Sequence, residues 1–342
     1  MTVVSIQYLR ALAACMVVVF HIGFIFGWAW GPGASGVDVF FVISGFIMWV
    51  VTADRETTPG NFFWHRLIRI VPLYWTLTLI FVAGAFIIPS QFTGRPGLGH
   101  IVQSLLFIPH LAPNGNNEPV ILQGWTLNYE MFFYAVFALS LLLPRAARLY
   151  ALSGAMLVVA GLLLQPSLPA ARTYTSPMLL EFLAGVWIGH AWLNQRLPSL
   201  PAALTLIALG VVALMAPYWY DGSGGYRALF WGAPAALIVI GSIAVERLGR
   251  MPGLGAVKLI GDASYSIYLS HPLSIIACKY LLSKMGLERW GGPIYLSVAL
   301  FCVVSLVAVA AGLICYWGLE RPLTRMFRPP ARRVADPAKA MS

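Results

Sequence analysis

Residues 6–27 read IQYLRALAACMVVVFHIGFIFG, an apolar run of the length that crosses a bilayer, interrupted by Arg10 and His21. The two ionisable residues are eleven positions apart. At 100° per residue, eleven steps return to within about 20° of the starting direction. Both side chains therefore share one helix face, separated by about 16 Å along the axis. An ionisable group at membrane depth is expensive to bury and marks a functional site by default. The plainer reading is an imidazole that hydrogen-bonds a neighbouring helix, and the run alone does not decide between the two.

The whole chain has this apolar character. Of its 342 residues, 59% are hydrophobic and 10% are charged, whereas soluble domains carry about 25% charged residues. The expected fold is an all-α integral membrane bundle of about ten transmembrane helices with no large soluble domain. Spans are expected near 6–27, 37–53, 71–89, 124–143, 149–165, 177–193, 200–216, 228–245, 259–282 and 293–318. Each is close to the length that crosses about 30 Å of hydrocarbon. The segment 98–111 (LGHIVQSLLFIPHL) is apolar but too short to span, and reads as interfacial or re-entrant. Residues 1–325 form one transmembrane domain, and 326–342 a basic, Pro-rich cytoplasmic tail with the composition of disorder.

Loop charges set the orientation. With the N-terminus inside, cytoplasmic segments hold Arg55, Arg66, Arg69, Arg145, Arg148, Arg196, Arg247, Arg250 and Lys258, and the tail adds Arg321, Arg325, Arg328, Arg332, Arg333 and Lys339. The opposite side holds Arg95, Arg172, Arg227, Lys279, Lys284 and Arg289. Both termini are thus expected in the cytoplasm. The net charge of +10 reflects this bias and does not indicate nucleic-acid binding. Cys15, Cys278, Cys302 and Cys315 all fall in spans without metal-ligand spacing, so no metal is expected. Leu12-Ala13-Ala14-Cys15 has the look of a lipoprotein cleavage box, but Arg10 lies too close upstream. The first span reads as a retained helix.

Several other residues carry chemical potential. Residues 54–72 read as an amphipathic helix at the cytoplasmic interface: Pro59 suits a helix start, Phe62, Phe63, Leu67 and Ile70 form a stripe, and His65, Arg66 and Arg69 gather on another face. Arg66 and Arg69, at i and i+3, offer two forked guanidiniums to phosphates, or equally to anionic lipid head groups. Asp38 stands near the outer face, as a carboxylate that orients His21 or as a solvated helix cap. Gly36 and Gly45 on the second span permit close helix approach. Glu130 lies within the fourth span and must be paired or protonated, with Arg10, the neighbourhood of Asp38 or His21 as candidate partners. Glu181 in the sixth span poses the same question. In 261–272 (GDASYSIYLSHP), Asp262 suits a helix cap, and Tyr265, Tyr268 and His271 at i, i+3, i+6 line a polar cavity or a hydrogen-bonded helix contact. Metalloprotease, P-loop and nucleophile-elbow motifs are missing, and no second histidine pair at suitable depth supports haem ligation.

Taken in order, six segments resemble the membrane-bound acyltransferase 3 family, and within it the exopolysaccharide O-acetyltransferase branch. They are IQYLRALAACMVVVFH ending at His21, GVDVFFVISGFIM, FFWHRLIRIVPLYW with its Arg-x-x-Arg, GWTLNYEMFFY containing Glu130, GDASYSIYLSHPL, and the closing Glu320-Arg321-Pro322-Leu323. Many relatives carry an aspartate near the first arginine, where this chain has Gln7-Tyr8. The resemblance implies transfer of an acyl group, usually acetyl, from acyl-CoA to a sugar hydroxyl at a bacterial inner membrane. His21, Glu130 and Asp38 then form the catalytic set, and Arg10, Arg66 and Arg69 bind the donor. Expected partners are acyl-CoA, a saccharide acceptor, membrane lipids and polysaccharide-assembly proteins. A transporter or flippase of anionic or lipid-linked substrates would also use many spans and buried charges. An inactive membrane sensor or scaffold is a third reading.

Overall fold

A computed structural model describes residues 3–28, 30–53, 57–92, 94–161, 166–215, 226–286 and 294–327. Among them the regular structure is helical: α1 (Val4–Phe26), α2 (Gly36–Val51), α3 (Pro59–Ile87), α4 (Leu98–Leu105), α5 (Trp125–Ser140), α6 (Arg145–Gly161), α7 (Pro169–Tyr174), α8 (Leu179–Leu193), α9 (Leu200–Met215), α10 (Ala233–Arg247), α11 (Gly255–Asp262), α12 (Ser264–Lys284), α13 (Ile294–Cys315) and α14 (Arg321–Phe327). Single wide π-type turns lead into α10 at Ala228–Gly232 and join α13 to α14 at Tyr316–Glu320. The tail beyond Phe327 lies outside the described residues.

Five helical stretches are long and apolar enough to cross a membrane: Val4–Phe26, Gly31–Val51, Pro59–Ile87, Ala228–Arg247 and Ile294–Phe327. The chain is a multi-pass membrane protein. Helices also stand at the other expected span positions, but α5, α6, α8 and α9 have 16, 17, 15 and 16 residues. The span expected over 259–282 divides at Ala263 into α11 and α12. The five spans differ in surroundings. The apolar window of Gly31–Val51 is 72% buried and that of Ile294–Phe327 only 22%, so α2 is central and α13 turns most of its surface outward.

Glycines set the closest contacts. A Cβ on Gly45 would run into the Phe182 backbone, and one on Gly185 into the Val42 backbone, so α2 and α8 cross with their backbones nearly touching. Gly36 meets the Ala13 carbonyl of α1 in the same way. In lipid, such backbone approach replaces the hydrophobic drive that packs helices in water.

The expected interfacial helix over 54–72 does not stand apart from the next span. Pro59 opens one 29-residue helix that runs through Pro72 to Ile87, capped by the Thr58 side chain accepting from the Asn61 amide. The Pro72 carbonyl is still used, accepting from the Thr76 hydroxyl 2.8 Å away. The apolar stripe that suggested a lipid-facing surface is covered by protein. Phe62 is buried against Phe137, with ring centroids 5.1 Å apart, and Ile70 is also buried. His65 on the same helix is exposed.

Candidate active site

Arg10, Arg66 and Arg69 come together on one cavity of about 90 Å³. α1 supplies Arg10, α3 the other two, α2 contributes Ser44, α5 contributes Glu130 and Tyr134, and α12 contributes Ser264, Tyr265 and Tyr268. Arg10 is buried and its Nε donates to the Ser264 hydroxyl at 3.0 Å. The Arg66 guanidinium lies over the Phe62 ring at 5.8 Å, and its Nε is buried without a hydrogen-bond partner. An unmet buried donor on a guanidinium is costly unless something with acceptor oxygens completes it. Three guanidiniums on one small cavity give it the charge and the forked donors that suit an anion.

Glu130 is the carboxylate of this cavity, and it is not ion-paired with the arginines. Its Oε1 accepts from the Tyr134 hydroxyl one helical turn on and from the Ser44 hydroxyl at 3.2 Å. Of the partners considered for it, neither Asp38 nor His21 is in reach, and Arg10 shares the cavity without bonding to it. Glu320, absent from the expected site, is buried with its carboxylate accepting from Ser266 at 2.6 Å, close enough to feel the charges of Arg69 and Arg10.

His21 opens onto a different cavity, of about 400 Å³, shared with His271, Gln123, Arg95, His100, Asn114 and Glu118. The segment between α3 and α5, expected on the outer side, thus folds over the imidazole. The His21 Nδ1 lies 2.8 Å from the Val17 carbonyl, and its ring is 4.9 Å from that of His271. At the mouth, His100 and His110 are hydrogen-bonded, Nδ1 to Nε2, at 2.7 Å. Burial, and then His110, hold His100 below the ordinary imidazole range, opposed by the charge of Glu118.

The two cavities lie along α1, eleven residues apart on its shared face, as the spacing of Arg10 and His21 requires. α12 runs past both as well, and α5 with the Leu122–Gly124 turn that leads into it bridges them. Thr126, Tyr265 and Tyr268 face the arginines, while Gln123 and His271 face the other side. Between them stands a partition: the Thr126 hydroxyl donates to the Gln123 carbonyl at 3.0 Å, Tyr268 donates to it at 3.2 Å, and the two hydroxyls are 3.0 Å apart. Tyr265 is held elsewhere, donating to the Ile70 carbonyl at 2.8 Å. The i, i+3, i+6 face of α12 is therefore both a cavity lining and a helix contact.

Asp38 does not orient His21. It is fully buried and forked onto Arg227, Oδ2 to Nη2 at 2.7 Å and Oδ1 to Nε at 3.1 Å. Arg227 also donates to the Ala34 carbonyl and lies 4.5 Å over the Trp231 ring. Glu181, equally buried, is the second carboxylate in this neighbourhood, packed on Gly232 where any Cβ would collide with it. A guanidinium from the loop before α10 was the stronger partner, and no spacing within the sequence announces a pair 189 residues apart. Asp262 likewise pairs with Lys258 at 2.9 Å and does not cap α12. Among the described residues no cluster of three or more metal-ligating side chains occurs.

The chain matches the acyltransferase domain family over residues 3–317. It is 43% identical to the exopolysaccharide production protein ExoZ of Rhizobium meliloti (strain 1021) over 309 residues, covering 88% of this chain and 92% of that protein. It is 26% identical to the acyltransferase MdmB of Streptomyces mycarofaciens, covering 90% of this chain and 85% of that one. To the peptidoglycan O-acetyltransferase OatA of Listeria monocytogenes serovar 1/2a (strain ATCC BAA-679 / EGD-e) it is 26% identical, covering 78% of this chain and 48% of that one. No solved structure matches it.

Proposed function

The chain belongs to the acyltransferase domain family, and from that premise we propose that it transfers an acyl group, acetyl in the simplest case, from acyl-CoA to a hydroxyl of an exopolysaccharide or of its lipid-linked precursor. The observation that carries this reading is the pair of cavities along α1, one lined by three guanidiniums and the other by imidazoles. The first suits the phosphates of an anionic donor, through the forked geometry of arginine. The second suits a neutral, hydroxyl-bearing acceptor beside a base. The saccharide class is supported by the similarity to a protein of exopolysaccharide production.

In this reading the donor enters on the side of Arg66 and Arg69, and its thioester passes the Thr126–Tyr268 partition. The His21 Nδ1–H is held by the Val17 carbonyl, so Nε2 is the basic atom. Nε2 takes the acceptor hydroxyl's proton as that oxygen attacks the thioester carbon. The carbon–sulfur bond breaks, and the leaving thiolate takes the proton from the imidazolium. The new ester and free CoA-SH account for every atom. Glu130 positions the Tyr134 and Ser44 hydroxyls on the donor side, and Arg10 ties α1 to α12 through Ser264. Asp38 serves the site by holding Arg227 and the α2–α10 junction.

The same reading places the protein in a bacterial inner membrane with about ten crossings, α5, α6, α8, α9 and the α11–α12 pair completing the set. Both termini are cytoplasmic, and polysaccharide-assembly proteins and membrane lipids are its surroundings. The test is turnover by the purified protein with acyl-CoA and a saccharide acceptor. His21→Ala should lose about 10²–10⁴ in rate, the usual cost of a missing general base, while eluting as the folded parent does. A parental rate in that variant would remove His21 from the reaction.

A further inference from the structure

Two imidazoles from different helices converge on one carboxamide. On α1, the His21 Nδ1 is 2.8 Å from the Val17 carbonyl; on α12, the His271 Nδ1 is 3.3 Å from the Ile267 carbonyl. A carbonyl oxygen only accepts, so each Nδ1 carries its hydrogen and each Nε2 of a neutral ring presents a lone pair. The Gln123 Nε2 lies 3.4 Å from the Nε2 of His21 and 3.2 Å from that of His271. An amide nitrogen has two hydrogens, one for each ring. The reverse orientation of the amide would set an acceptor against two acceptors, or demand two imidazolium rings with centroids 4.9 Å apart. The Gln123 oxygen is buried without a hydrogen-bond partner, an acceptor left unmet beside the two bases.

We propose that Gln123 is a positioning residue that holds His21 and His271 together as neutral bases, by donating one amide hydrogen to each Nε2. The inference rests on the acyl-transfer reading of His21. Gln123 sits at the entry to α5, tied to it by the bond from Thr126 to its carbonyl, so the amide is anchored on the helix that also carries Glu130. Donation to a lone pair opposes protonation of that nitrogen, so both rings stay neutral until the acceptor hydroxyl displaces the amide from His21. When His21 takes a proton, its Nε2 can no longer accept from Gln123, and the amide serves His271 alone. The pair then carries one proton, on His21, and the His271 ring stays neutral. The other titratable or charged groups on this cavity are Arg95, His100 and Glu118, all from the outer loop and α4.

The test is the pH profile of kcat/KM in the purified protein. Gln123→Glu sets a carboxylate against both Nε2 atoms, favours the imidazolium, and should move the acid limb up by about one unit or more. Gln123→Met, similar in length but without donors, should move it in the same direction by less, because the bonds opposing protonation are gone. A role confined to packing would lower thermal stability or rate and leave the limb where it was. An unmoved limb in either folded variant overturns the proposal. If His21→Ala is inactive and the limb is unmoved, Gln123 alone is misassigned; if His21→Ala keeps its rate, the acyl-transfer reading itself has failed.

Discussion

Replacing Arg227 by methionine should destabilise the protein severely, and a second substitution should undo the damage. Arg227 makes a forked bond to Asp38 and a third bond to the Ala34 carbonyl. Asp38 has no exposed surface and Glu181 only 2%. Methionine keeps much of the stem's contact with Trp231 but strands two neighbouring carboxylates in a dry interior. Breaking a buried pair from one side typically costs about 3–5 kcal/mol, most of it the penalty of the charge left behind. At the slope of about 2 °C per kcal/mol expected for larger chains, that is a fall of roughly 6–10 °C in Tm. Asp38→Asn combined with Arg227→Met removes both charges and should regain at least half of the loss. Tryptophan fluorescence during heating in detergent reads the effect directly, because Trp125 and Trp231 flank the guanidinium. A parental Tm for Arg227→Met, or a double variant no better than the single one, would show that the ion pair does not hold this junction.

Two further outcomes follow from the arginine-lined cavity. Arg66→Ala and Arg69→Ala should each weaken binding of a non-reactive acyl-CoA analogue, with lysine restoring only part, since a point charge lacks the fork; unchanged affinity by titration calorimetry in both would leave these residues as lipid anchors. Glu130→Gln should keep most of the thermal stability because the amide oxygen still accepts from Tyr134 and Ser44, whereas Glu130→Leu strands both hydroxyls at about 1–3 kcal/mol each; equal Tm and turnover in both variants would make the glutamate incidental.

The parts of this molecule that the sequence announces are those with a local period. Arg10 and His21 share a face because eleven residues close three helical turns, and the Arg66–Arg69 pair shares one by its i, i+3 spacing. Gly36 and Gly45 were readable as contact points because glycine on a membrane helix has few other uses. What was not legible depended on which helices meet. The fork from Arg227 to Asp38 joins residues 189 positions apart. Gln123 carries no pattern of its own; its only signal was a polar amide at the mouth of a span, directly before Gly124. That the helix from Pro59 continues into the next span is not legible in the sequence for a related reason. An apolar stripe on a basic helix looks the same whether lipid or protein covers it, and here the aromatic face of α5 does.

In the proposed reaction, placing Arg10 and His21 on one helix has a consequence for substrate choice that neither residue has alone. A straight helix rising 1.5 Å per residue sets the guanidinium and the imidazole about 16 Å apart, and α1 runs unbroken between them. A donor that held its negative charge next to its reactive carbon could occupy one cavity or the other, but not both. Acyl-CoA carries its phosphates at one end and its thioester at the end of a long, flexible, uncharged arm, so its two ends can meet the two sites at once. In the proposed reaction the arm has to part the Thr126–Tyr268 contact, where the two hydroxyls lie 3.0 Å apart. The proposed acceptor then enters the wider cavity of about 400 Å³ beneath the segment between α3 and α5. On the proposed reading, the rigid spacing on α1 selects the donor by the distance between its charge and its chemistry, and keeps the two substrates apart until they meet at His21.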